Sequence, residues 1–222
     1  KIIVNSHEFK KEMDKKYKIK TQCILNPFEL EKIKKLSQKK SKKIFSKEVL
    51  KVISVGRLTY QKDFITMIKA VEHVKKKKIE LVIIGKGVDK NKLENYIFNN
   101  KLYKKIKLIG YKINPFKYIK QSDIFILTSR FEGSPNVLVE AQILKKFIIS
   151  TNCPTGPREI LGNGRYGDLF KIRDYKKLAE IIEKFSLNKK NRKKIYLGYL
   201  NHKKYDYKIN CEKYFKLIKN YL

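Results

Sequence analysis

The chain has 222 residues, 42% of them apolar, and carries a formal net charge of +33. That length holds one large domain, or one domain with part of a second, and no apolar run is long enough to cross a membrane as a helix. The charge invites a nucleic-acid reading, but of the 54 basic residues only 6 are Arg, as an AT-rich coding bias would produce, and the Lys are spread along the chain. Residues 121–170, where the motifs lie, contain no lysine except Lys145 and Lys146. No specific nucleic-acid binding is expected. A basic face resting on an anionic membrane surface is the better expectation, since each Lys near such a surface adds on the order of 1 kcal/mol. Cys23, Cys153 and Cys211 are scattered and odd in number, which suits a reducing cytoplasm rather than a disulfide or zinc framework.

From its start, the chain reads as a strand (Ile2–Asn5), a helix (Glu8–Lys16), a second strand (Thr21–Leu25) and the turn Asn26-Pro27. Lys1 is not an initiator Met and its apolar run is too short for a signal peptide, so the chain is expected to begin inside a larger protein. Ser37–Lys47 is polar and poorly patterned, a linker or exposed loop. Short, nearly all-apolar strands follow at Lys51–Val55, Glu80–Ile84, Lys105–Ile109, Asp123–Thr128 and Phe147–Ser150. Continuous apolar runs indicate strands covered on both faces, as in a parallel sheet. Phe64, Met67, Ile68, Val71 and Val74 take helical spacing, as do Leu178, Ile181, Ile182 and Phe185. This alternation predicts a doubly wound, Rossmann-like α/β domain over residues 48–187, flanked by 1–47 and by a helical tail, 188–222. In the tail, Cys211, Tyr214, Phe215, Ile218 and Leu222 are expected to form one apolar stripe.

The chemistry gathers where strands end. Gly56-Arg57 to Lys62 follows the first core strand, offering close backbone approach, a guanidinium fork and a point charge, the groups a diphosphate needs. Glu132-Gly-Ser-Pro-Asn-Val-Leu-Val-Glu140 places two carboxylates astride a helix start, with Ser134 as expected N-cap and Pro135 as first helical residue. Backbone N–H groups pointing out between them would suit a phosphate. Glu140 lies among apolar neighbours, where a carboxylate is costly to bury unless it accepts hydrogen bonds, and sugar hydroxyls are suitable donors. Gly85-Lys-Gly87 reads as a tight turn lining the same cleft, and Thr151 to Glu159 as a rigid loop with two prolines and a glycine. His7, His73 and His202 lie far from this region in sequence, no Asp-x-Asp occurs, and no His/Cys/carboxylate cluster has metal spacing. No metal is expected.

Together and in this order, Val55-Gly-Arg57, Lys62, Val82-Ile-Ile-Gly85, Ile109-Gly110, Glu132-x7-Glu140 and Cys153-Pro-Thr-Gly-Pro-Arg-Glu-Ile160 resemble the carboxyl-terminal domain of glycosyltransferase family 4, retaining enzymes of GT-B fold. The resemblance implies that Gly56, Arg57 and Lys62, with backbone N–H groups at Ser134, Asn136 and Val137, bind a nucleotide sugar's diphosphate. It implies that Glu140 holds the ribose, that Gly85, Tyr111 and Lys112 border the base, and that Glu132 is the candidate catalytic residue, orienting the transferred sugar and easing positive charge at its anomeric carbon. The Cys153–Glu159 loop is similar to that of enzymes using UDP-hexoses or UDP-N-acetylhexosamines, so a UDP-sugar is the expected substrate, with no cofactor. In such enzymes the acceptor, here a glycan or lipid-linked molecule, binds mainly to an amino-terminal domain, which often also provides a catalytic His or Asp. Residues 1–47 resemble only that domain's end and its crossover, so the chain by itself is expected to bind nucleoside diphosphate and turn over little. The expected setting is the cytoplasmic face of a bacterial membrane, in surface polysaccharide synthesis. Epimerisation or phosphorolysis on the same fold would need further acid/base residues, and a non-catalytic basic module binding nucleic acid or lipid is the remaining alternative.

Overall fold

The computed structural model describes residues 2–219. In chain order its elements are β1 (Ile3–Val4), α1 (His7–Tyr17), β2 (Gln22–Cys23), α2 (Leu30–Ser37), β3 (Leu50–Val55), α3 (Phe64–His73), β4 (Ile79–Ile84), α4 (Lys90–Asn99) and β5 (Ile106–Leu108). Then come α5 (Phe116–Ile119), β6 (Ile124–Leu127), α6 (Asn136–Ile143), β7 (Phe147–Thr151), α7 (Pro157–Ile160), β8 (Asp168–Phe170), α8 (Tyr175–Lys184), α9 (Lys189–Asn201), a 3-10 turn (His202–Tyr205) and α10 (Tyr207–Lys219).

Six strands form one sheet in the order β5-β4-β3-β6-β7-β8, every pairing parallel, while β1 and β2 make a separate two-stranded parallel sheet. Successive side chains of a strand point to opposite faces, and here each face meets its own helical layer. Val52, Leu81, Ile83, Ile124, Ile126 and Ile149 pack with residues of α3, α4 and α8. Ile53, Val82, Ile84, Phe125, Leu127 and Ile148 pack with residues of α2, α6 and the 3-10 turn. Both sides of a central strand are thus dry, which is why the runs read as continuously apolar. Each fully buried aliphatic side chain contributes about 1.5–3 kcal/mol.

The predicted doubly wound parallel sheet is the one observed. The sixth strand, β8, was not expected from sequence, because Asp168-Leu-Phe is too short and follows a glycine-rich turn. Nor was α2: Leu30 and Ile33 are buried against the second core, with Leu25 and Phe28 beside them. The Ser37–Lys47 stretch has no regular structure beyond the end of α2, yet Ile44 and Phe45 rest on that core. The tail stripe needs correcting. On α10, Asn210 and Leu217 are buried, whereas Cys211, Phe215 and Ile218 are exposed; Leu222 lies outside the described residues. The side chain of Asn210 sets this rotation, donating to the carbonyls of Lys204 and Asp206 at 2.8 and 3.0 Å.

Candidate active site

Every segment singled out above emerges from the carboxyl ends of the sheet's strands, the edge at which open α/β sheets bind ligands. The middle strands β3 and β6 are neighbours, so the loops after them must run side by side. Six contacts stitch these two loops together. Thr128 Oγ1 donates to the Lys62 carbonyl at 2.9 Å, the Arg130 amide to the Gln61 carbonyl at 2.8 Å, and Gln61 Nε2 to the Phe131 carbonyl at 3.0 Å. The Arg130 guanidinium lies 3.8 Å above the Tyr60 ring and 3.3 Å from the carboxylate of Asp63. Finally, Lys62 Nζ meets Glu132 Oε1 at 2.5 Å.

That last contact unites two of the predicted site residues in a nearly dry ion pair, their side chains 15% and 7% exposed. The same Glu132 oxygen accepts from Ser129 Oγ at 2.6 Å. The Lys62 charge is therefore balanced, and Arg57, exposed at the end of β3 with no ion pair among the described residues, carries an unbalanced one.

Helix α6 begins at Asn136, one residue later than expected, with Pro135 and not Ser134 at the N-cap. The Pro135 carbonyl accepts the first helical bond, from the Leu138 amide at 3.0 Å, and no side chain caps the helix. Its opening N–H groups, including those of Asn136 and Val137, are thus left without a side-chain acceptor, as a phosphate site requires. Asn136 Oδ1 accepts from Asn26 Nδ2 at 2.6 Å, and Asn26 in turn accepts from Asn5 at 3.1 Å. One turn further in, Glu140 is half-buried and its carboxylate has no hydrogen-bond or ion-pair partner among the described residues. Burial raises its pKa to about 7. A perturbed, unpartnered carboxyl at a sheet edge is a functional-site signature.

The glycines have packing reasons. A Cβ on Gly85 would lie 1.9 Å from the Gly56 carbonyl oxygen, and one on Gly87 would lie 2.3 Å from that of Leu58. Gly85 also donates to the Gly110 carbonyl at 3.1 Å, joining the ends of β4 and β5. Tyr111 follows there, 61% exposed, with Lys86 Nζ 5.5 Å from its ring centroid and the half-buried Lys112 next in sequence. Gly156 (φ +85°) brings the Thr151–Glu159 loop against the start of α6, where a Cβ would fall 2.5 Å from the Gly133 carbonyl oxygen. Glu159 turns the other way, accepting from Ser6 Oγ at 2.7 Å and the Glu8 amide at 3.1 Å, so this loop caps α1.

Sequence reasoning missed the clasp formed by Tyr60, Asp63, Ser129 and Arg130. Arg130 carried a signal, being one of six Arg and two residues ahead of Glu132. Asp63 carried none, because its left-handed backbone (φ 47°) shows only in the structure. Among the described residues, no group of three His, Cys, Asp or Glu side chains is placed to hold a metal ion.

Residues 33–197 match the family model described as glycosyl transferases group 1. The chain is 40% identical to an uncharacterized glycosyltransferase of Methanocaldococcus jannaschii, over 72% of this chain and 41% of that protein. It is 33% identical to an N-acetylgalactosamine-N,N'-diacetylbacillosaminyl-diphospho-undecaprenol 4-alpha-N-acetylgalactosaminyltransferase of Campylobacter jejuni, over 69% of this chain and 40% of that one. It therefore spans about two fifths of the length of these curated relatives. Its fold superposes on a Rickettsia africae glycosyltransferase with TM-score 0.84 and 21% identity, covering 99% of this chain and 63% of that one. The match to Anabaena HepE, solved with UDP and glucose, has TM-score 0.82 and 19% identity, covering 98% and 62%.

Proposed function

Because this chain belongs to the glycosyl transferases group 1 family, we propose that it supplies the donor-binding half of a retaining, family 4 type enzyme. That enzyme moves a hexosyl or N-acetylhexosaminyl group from a UDP-sugar to a glycan or lipid-linked acceptor. The observation that carries this reading is the convergence of Arg57, the Lys62–Glu132 pair and the uncapped start of α6 at one sheet edge. The departing diphosphate gathers negative charge, and Arg57, Lys62 and the helix N-terminus would stabilise it without calling on a metal. Glu132, held by Ser129 and Lys62, would face the sugar, Glu140 the ribose, and Gly85, Tyr111 and Lys112 the base. Residues 1–47 would end an amino-terminal domain, 48–187 form the donor domain, and 188–222 return towards the first.

Two relatives support the details. The Campylobacter protein is named for transfer to a diphospho-undecaprenol-linked sugar, and the Anabaena structure holds UDP with glucose. An undecaprenol-type acceptor implies work at the cytoplasmic face of a bacterial membrane, which suits a chain of charge +33. The epimerase, phosphorylase and non-catalytic readings have no observation in their favour. With the acceptor half supplied by residues beyond this chain, purified chain is expected to bind UDP yet give no robust transfer from UDP-sugar. Rapid turnover by it alone would overturn the division of labour.

Glu140 gives the sharper test. Ribose hydroxyls donate, so they favour its ionised form, and calorimetric UDP affinity should rise as pH passes through about 7. Stability should move oppositely. With the folded pKa raised from 4.5 to about 7, the contribution is complete below 4.5 and lost as pH climbs to the folded value. Glu140→Ala should weaken UDP and flatten both profiles; unchanged affinity would remove Glu140 from the site.

A further inference from the structure

A second cavity, of about 510 Å³, lies at the opposite, amino-terminal edge of the sheet, between the loop that follows α2 and helix α5. It is some 20 Å from the donor site, the rise of the six residue steps from Lys51 in β3 to Arg57 just past its end. Six of its eleven lining residues are lysine and none is acidic, whereas lysine is 48 of the chain's 222 residues. The lysines are Lys39, Lys43, Lys47, Lys51, Lys117 and Lys120. None of them enters an ion pair among the described residues.

Two neighbouring carboxylates lie behind this lining, held by hydrogen bonds. Asp123 accepts from the Lys51 backbone amide at 2.9 Å, and Glu80 from the Ser46 amide at 3.2 Å and from Lys107 Nζ at 3.0 Å. The loop is also shaped rather than slack. Gln121 accepts from the Ile44 amide at 3.2 Å and donates to Ser41 Oγ at 2.9 Å and to the Lys42 carbonyl at 3.2 Å. Because Ser41 accepts from Gln121, its own O–H remains to donate into the cavity. A preformed concavity of this volume, within the roughly 300–1,000 Å³ of small-ligand sites, bears ammonium point charges and a hydroxyl donor and no acid. Like charges around one hollow repel until an anion fills it.

We propose that this cavity binds phosphate groups that carry two or more negative charges close together, either on a membrane lipid headgroup or on a soluble polyphosphate. A lipid ligand would fix which face of the molecule meets the membrane, with the donor site turned to the other edge of the sheet. The inference shares only its membrane arm with the sugar-transfer reading and does not involve the donor site. UDP binding kept in the variant below would therefore separate failure of one from failure of the other.

The test compares two charge-matched variants of this chain. One has the exposed cavity residues Lys39, Lys43, Lys47 and Lys120 changed to Gln, and the other has Lys75, Lys76, Lys176 and Lys193, exposed and outside the cavity lining, changed to Gln. Each is titrated with inorganic pyrophosphate in saturating UDP, and sedimented with phosphatidylcholine vesicles with and without cardiolipin, whose headgroup holds two phosphates. The cavity variant should lose about tenfold or more in affinity for one of these probes, while the control stays within about twofold. Loss with vesicles identifies a headgroup site, and loss with pyrophosphate identifies a soluble ligand. Equal weakening of both variants, which net charge alone would produce, overturns the proposal, as does no weakening of either.

Discussion

Changing Lys62 to methionine is expected to cut sugar transfer by the complete protein about 10²–10³-fold, the usual cost of one lost charge-stabilising donor. The same change should lower the unfolding free energy by about 3–5 kcal/mol, because it strands a buried carboxylate. Glu132 is 7% exposed in its side chain and has Lys62 as its counter-ion; Ser129 alone would be left to hold it. The two effects can be separated. The pair Lys62→Met with Glu132→Gln removes both charges, so urea unfolding should recover most of the lost stability. Transfer should not recover, because neither the cation nor the carboxylate is restored. If the single variant unfolds early but transfers sugar at the normal rate, Lys62 is a counter-ion for Glu132 and nothing more.

Gly85→Ala is expected to cost about 3 kcal/mol or more, as forced overpacking against backbone does, and to weaken UDP binding with it. The added methyl would sit 1.9 Å from the carbonyl oxygen of Gly56, an atom that cannot rotate away as a side chain could. Relief requires the ends of β3 and β4 to part, although the Gly56 amide bonds the Ile84 carbonyl at 3.0 Å. Arg57 is the next residue and would move with them. Gly133→Ala is the matched control. A Cβ there meets nothing within 4 Å, and its urea midpoint should shift by no more than about 0.5 kcal/mol allows. Equal tolerance of both substitutions would show that the strand ends are not packed as described.

These two glycines show how far a sequence can be read. Gly85-Lys-Gly87 looked like a turn at the cleft, and it is one. That the glycines are demanded by another segment's carbonyls was not legible, because Gly56 and Leu58 lie some thirty residues away. Ser134 shows the converse. Its residue type favours an N-cap, but the loop pressed against it by Gly156 sets the chain so that Pro135 takes that place. Glu140 was legible as an expensive carboxylate among apolar neighbours, and burial does raise its pKa to about 7.

The alternation of five core strands with helices, the parallel sheet and the family came from the sequence itself, whereas β8 and α2 did not. Apolar runs covered on both faces and glycine-bearing strand ends are local properties, repeated often enough to be unmistakable. The partners of those residues were settled only by folding. Placing β6 beside β3 makes two loops neighbours that are seventy residues apart, and so creates the Lys62–Glu132 and Arg130–Asp63 pairs. The same folding turns Phe215 outward and Leu217 inward, and gathers six dispersed lysines around one hollow. Local pattern dictates what each segment becomes, whereas Coulomb and packing forces act between segments whose distance exists only in three dimensions.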